Sequence, residues 1–163
     1  FYKRAFHKDP TIVGKLGEII CRTFLEAGII PVIKHLPGHG RSTGADPHDG
    51  ICQVYGELTQ DIIPFQHIVK TRLLVWGMTN HIIYNALDPT QPTAFSSVVV
   101  EYIRKYIGFH RLLMTDAIDM QALDQSQLRA NVTKALQAGH DAVLYCAGNL
   151  LETQTILTIT ASH

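Results

Sequence analysis

Cysteine is scarce in this chain: three in 163 residues, at positions 21, 52 and 146. They are too few and too scattered for a disulfide framework, and no two form a CxxC pair, which excludes the commonest thiolate metal site and favours a reducing compartment. All three read as free thiols buried in a core. Charge is sparse as well. Charged residues make up 17% of the chain, and fourteen basic side chains cancel fourteen acidic ones with no block of one sign. That excludes the electrostatic footprint that nucleic acid or an anionic membrane would require, and leaves shape and hydrogen bonding as the means of recognising a ligand. No apolar run approaches the roughly 18 to 20 residues needed to span a bilayer, and no signal peptide opens the chain.

What is present is material for one folded domain, since 46% of the residues are hydrophobic and the length suffices for a core. Asp9 is placed as an N-cap before Pro10, and Ile12, Val13, Leu16, Ile19, Ile20 and Phe24 recur at helical spacing up to Gly28. Residues 29–33 are short, apolar and β-branched, as a strand buried on both faces should be. A polar, Gly-rich loop runs to about residue 56, and a helix follows with Pro64 in its first turn and Phe65, Ile68 and Val69 beyond it. The second strand is expected over 73–79, ending near His81. Ser96 then caps a helix that buries Val100, Ile103 and Ile107 and stops at Gly108. Residues 112–114 form a third strand ending at Asp116, Leu128 to Leu136 a helix stopping at Gly139, residues 142–145 a fourth strand, and 150–159 a last helix. Strand and helix alternate without a linker, so the prediction is a single α/β unit with about four parallel strands.

In such a fold, residues leaving the carboxyl ends of parallel strands converge on one face, where active sites lie. Two segments put His, Asp and Lys there: KHLPGHGRSTGADPH at 34–48 and LLMTDAIDMQAL at 112–123. An acid closing an apolar strand, as Asp116 does, serves either as a capping or ion-paired group or as a reacting one. His48 in a polar loop, two residues from Asp46, reads as a surface histidine or as a proton donor and acceptor near neutrality. His35, His39, Asp46 and His48 are also potential metal ligands, although their spacing matches no common zinc pattern.

These segments resemble the family 3 glycoside hydrolases, in particular the bacterial β-N-acetylglucosaminidases (β-N-acetylhexosaminidases) of peptidoglycan recycling. The similarity extends to Arg4-Ala5-Phe6 with Asp9-Pro10, to residues 61–66, to His81-Ile82-Ile83-Tyr84 and to Ala138-Gly139-His140-Asp141, and so covers nearly the whole chain. The resemblance implies a (β/α)8 barrel, whose usual length of about 250 residues exceeds this one. The chain opens at Phe1, inside a stretch that matches the family, so residues 1–163 are expected to be the carboxyl-terminal half of that barrel.

By the same resemblance Asp116 is the nucleophile of a retaining reaction, forming a covalent glycosyl intermediate. His48 is the general acid/base, oriented by Asp46. Lys34, His35 and Arg4 bind the sugar. The sequence departs from the family pattern in three places: Ala117 stands where a second acid is common, Pro47 where Ser is usual, and one extra residue separates Gly40 from Asp46. Pro37, Gly38, His39 and Gly40 shape the loop, with His39 structural. The implied activity is hydrolysis of terminal non-reducing β-linked N-acetylglucosamine from muropeptides or chitooligosaccharides, with no cofactor, in the cytoplasm. The other reading is a catalytically impaired barrel fragment that binds sugar or pairs with another chain through open barrel edges.

Overall fold

The computed structural model describes residues 5–43 and 51–161. Helix α1, Pro10–Glu26, starts as its sequence predicts: the Asp9 carboxylate accepts the Thr11 N–H at 2.8 Å, satisfying one of the donors a helix start leaves open. Strand β1, Val32–Leu36, follows, and after it come the two-residue strand β2, Gln53–Val54, and helix α2, Ile63–Lys70. Strand β3, Trp76–Thr79, and the short β4, Ile83–Tyr84, precede α3, Ser97–Tyr102, which continues as one wide turn through Ile107. The Ser96 hydroxyl caps α3 by accepting the Val99 N–H, and Gly108 ends the continuation at φ +76°. Strand β5, Leu113–Ala117, helix α4, Leu128–Gln137, strand β6, Ala142–Leu144, and helix α5, Leu150–Thr160, complete the order.

The main sheet has the order β1-β3-β5-β6 with every pairing parallel, as consecutive strand–helix units dictate. On the helix-covered face, Val75, Leu113 and Phe109 pack with Ile68, Val100, Ile103 and Ile107. The segment after α3 approaches the sheet closely at Gly77, where an added Cβ would lie 2.7 Å from the Phe109 ring. Trp76 and Met114 point by strand alternation to the opposite face and are only partly buried there. Asp116, two residues beyond Met114, shares that face.

Two expectations from sequence are corrected. Residues 29–33 do not form a strand covered on both faces: Ile29, Ile30 and Val32 are exposed, because β1 is an edge of the sheet and pairs only with β3 among the described residues. Cys146 is exposed, while Cys21 and Cys52 are buried as expected. A small second sheet, in which β2 pairs in parallel with β4, was not foreseen, since two-residue strands carry too little periodicity to be read.

At the amino ends of β5 and β6 one guanidinium ties several backbone groups together. Arg104 donates to the carbonyls of Phe109 and Arg111 at 3.1 and 2.8 Å and to the Asp141 carboxylate at 2.8 Å, and that carboxylate also accepts the Leu113 N–H. An open cavity of about 610 Å³ lies beside this cluster, lined by Arg104, His110, Arg111 and Asp141. It sits at the wrong end of the strands for chemistry in this class of fold.

In the turn between α4 and β6, His140 is buried with both ring nitrogens occupied. Nδ1 donates to the Ala135 carbonyl at 3.1 Å, which leaves Nε2 to accept from the Thr79 hydroxyl at 2.9 Å. Burial holds its pKa down, to about 4, against the pull of the Ala135 carbonyl. The unfolded chain therefore binds this proton first. His140 contributes stability above pH 6.5 that is lost as pH falls toward 4, a loss of roughly 3 kcal/mol once the ring must be protonated. Urea midpoints measured across pH 7 to 4 should fall over that window for the protein, and the fall should flatten in His140→Gln.

Candidate active site

Three strands bring the site together at their carboxyl ends. The neighbours β1 and β5 flank β3, so His35 from β1 reaches past the end of β3 to Asp116 of β5, with Nε2 3.2 Å from Oδ2. Both side chains are mostly covered, 14% and 21% exposed. The other carboxylate oxygen, Oδ1, accepts the Ala117 N–H at 2.9 Å. Burial alone would push the Asp116 pKa up. The His35 hydrogen bond and the Ala117 N–H outweigh it and hold the carboxyl at about 2. Asp116 is thus an anion at any physiological pH, with its oxygens oriented and partly shielded from water, as a carboxylate nucleophile must be.

Lys34, next to His35 at the end of β1, is exposed. The chain then turns into the loop that carries His39. The His39 ring stands edge-on to His35, with centroids 5.5 Å apart, and its Nδ1 lies 3.0 Å from the Ser42 hydroxyl. A buried network anchors this loop. Asn80 Nδ2 donates to the Tyr84 hydroxyl, which donates in turn to the Gly38 carbonyl, and burial raises the phenol's pKa so that it keeps its proton. Gly38, at φ +146°, has no room for a side chain, since a Cβ would come within 2.6 Å of Asp61 Cβ. Arg41 completes the anchor by donating to the Asp61 carboxylate at 2.7 and 3.0 Å and to the carbonyls of Tyr55 and Glu57.

Of the residues predicted from sequence, the fold brings His35 and Asp116 into contact; Lys34 precedes His35 in β1 and is exposed. Arg4, Asp46 and His48 lie outside the described residues. The residue that sequence reading passed over is His81, just beyond β3, which is buried and hydrogen-bonded to the Ala117 carbonyl at 2.9 Å. Its position at the end of a strand was the available signal. Among the described residues no group of three or more His, Cys, Asp or Glu could hold a metal ion.

Parallel strands alternating with helices, with His and Asp converging at the strand carboxyl ends, define the (β/α)8 class of barrel, of which four strands are seen here. The chain belongs to the glycosyl hydrolase family 3 N-terminal domain family, whose model matches residues 2–162. It is 33% identical over 163 residues to a beta-hexosaminidase of Hydrogenovibrio crunogenus, covering 96% of this chain and 45% of that protein. It is 35% identical over 149 residues to a beta-hexosaminidase of Aromatoleum aromaticum, covering 88% and 41%. The structure superposes with a TM-score of 0.82 and 27% identity on a glycoside hydrolase family 3 beta-N-acetylglucosaminidase from a Paenibacillus species, covering 91% of this chain and 29% of that one. The chain therefore spans less than half the length of these relatives.

Proposed function

We propose that this chain supplies the carboxyl-terminal half of the catalytic barrel of a retaining, exo-acting β-N-acetylglucosaminidase that releases terminal N-acetylglucosamine from peptidoglycan fragments in the cytoplasm. The observation that carries the reading is the Asp116 carboxylate, ionised down to about pH 2 and held by His35 at the carboxyl end of β5. Asp116 attacks the anomeric carbon and the leaving oxygen takes a proton from His48. Water, deprotonated by His48, then hydrolyses the glycosyl ester. Asp46 orients His48, and Lys34, His35 and Arg4 hold the sugar. The activities of the beta-hexosaminidase relatives support the substrate class.

The experiment is hydrolysis of natural and activated N-acetylglucosaminides by the intact polypeptide and by His48→Ala. The variant should lose on the order of 10² to 10⁴-fold on a disaccharide. It should lose much less in glycosylation by an aryl glycoside, whose leaving group needs little protonation. Azide should rescue deglycosylation of the aryl substrate, because an anionic nucleophile needs no base. Equal losses on both substrates without azide rescue would make His48 structural. The open sheet edge at β1 favours a second reading, a sugar-binding or pairing module without turnover. It is the outcome if the intact polypeptide binds N-acetylglucosamine but leaves a chromogenic N-acetylglucosaminide uncleaved.

A further inference from the structure

The pairing of β3 with β5 runs through Gly77 with Leu113 and Met78 with Met114, short of the residues around Asp116. Where that backbone ladder ends, a side chain takes over. His81 Nε2 donates to the Ala117 carbonyl at 2.9 Å, and from the other side the Leu144 carbonyl of β6 accepts the Ile118 N–H at 2.8 Å. The peptide joining Ala117 to Ile118 is thereby gripped at both its polar groups. Ala117 is the residue whose N–H holds Asp116 Oδ1. A carbonyl only accepts, so Nε2 carries the hydrogen and the neutral ring presents a bare lone pair at Nδ1. His81 is 5% exposed, and Nδ1 is buried without a hydrogen-bond partner among the described residues. Burial also pushes the pKa of the ring down, which keeps it neutral. The donor side of the ring is thus committed to the Ala117 carbonyl.

We propose that His81 is a positioning residue for Asp116: by replacing the missing ladder bond it fixes the Ala117 backbone, and through it aims the carboxylate. The proposal rests on Asp116 being the reacting group. It predicts that the side chain matters through its Nε2 donor, not through its volume. His81→Phe keeps the ring and removes the donor, whereas His81→Gln offers an amide N–H at the same reach.

In the intact polypeptide, His81→Phe should still fold, with a modestly lower melting temperature because the Ala117 carbonyl loses its donor. Its kcat on an aryl N-acetylglucosaminide should fall by about 10²-fold with little change in KM, the size of effect a misaimed reacting group produces. His81→Gln should recover most of that loss. The Asp116 carboxyl, followed by ¹³C NMR, should titrate at a higher pH in His81→Phe than in the parent and return toward the parent value in His81→Gln. Normal kcat together with an unmoved Asp116 titration in a folded His81→Phe variant would overturn the proposal, as would failure of His81→Gln to restore either quantity. If the parent itself shows no turnover, the glycosidase reading fails, and the Asp116 titration still decides the role of His81.

Discussion

Asp116→Asn in the intact polypeptide should lose turnover by on the order of 10⁴-fold or more while keeping its fold and its weak affinity for sugar, because only the charge and nucleophilicity of one oxygen are removed. The amide fits the same space. Ala117 N–H can still bond the amide oxygen, and His35 loses an anionic partner only. A 5-fluoro N-acetylglucosaminyl probe should trap the glycosyl ester on the parent, and peptide mapping should find it on Asp116. Label on any other residue, or near-normal turnover by the variant, would remove Asp116 from the centre of the mechanism.

Residues 1–163 expressed alone should self-associate and unfold without a sharp transition. The edge strands β1 and β6 have no outer neighbours among the described residues, and unpaired edges recruit other chains. Beside β1, Ile29, Ile30 and Val32 are exposed, and on α1 Ile12, Leu16, Ile19, Ile20 and Phe24 face solvent too. At the far edge, Leu150 and Leu151 of α5 are 70% and 73% exposed. Each Å² of such surface left wet forgoes about 25 cal/mol. Light scattering should show mass rising with concentration, and a polypeptide extended upstream should be monomeric with a steeper urea transition. A monomeric, cooperatively unfolding chain of 163 residues would mean that these edges are not sites of assembly.

The alternation of strands and helices was legible because caps and periodicity agreed: Asp9 with Pro10, Ser96, and Gly108 all stand where the sequence placed helix ends. The exposure of β1 was not legible. Apolar β-branched residues read as buried, and only the sheet order reveals that this strand is an edge. In the site, Asp116 and His35 were legible from their places at strand ends, and their mutual contact followed from β1 and β5 flanking β3. His81 could be placed at a strand end, but its hydrogen bond to the Ala117 carbonyl depends on how β3 and β5 sit together and was not legible. The clamp of Arg41 on Asp61, twenty residues apart, joins two side chains that only the fold brings together, and it was not legible either.

The Arg104 cluster lies at the opposite ends of the strands from Asp116, and it bonds backbone carbonyls and a carboxylate that itself caps the start of β5. Durability and reactivity are thus assigned to opposite rims of one sheet. Substitutions around Arg104 should therefore shorten the working life of the protein at elevated temperature while each surviving molecule turns over at its former rate, so this rim is where a more heat-resistant variant can be sought without retuning the chemistry.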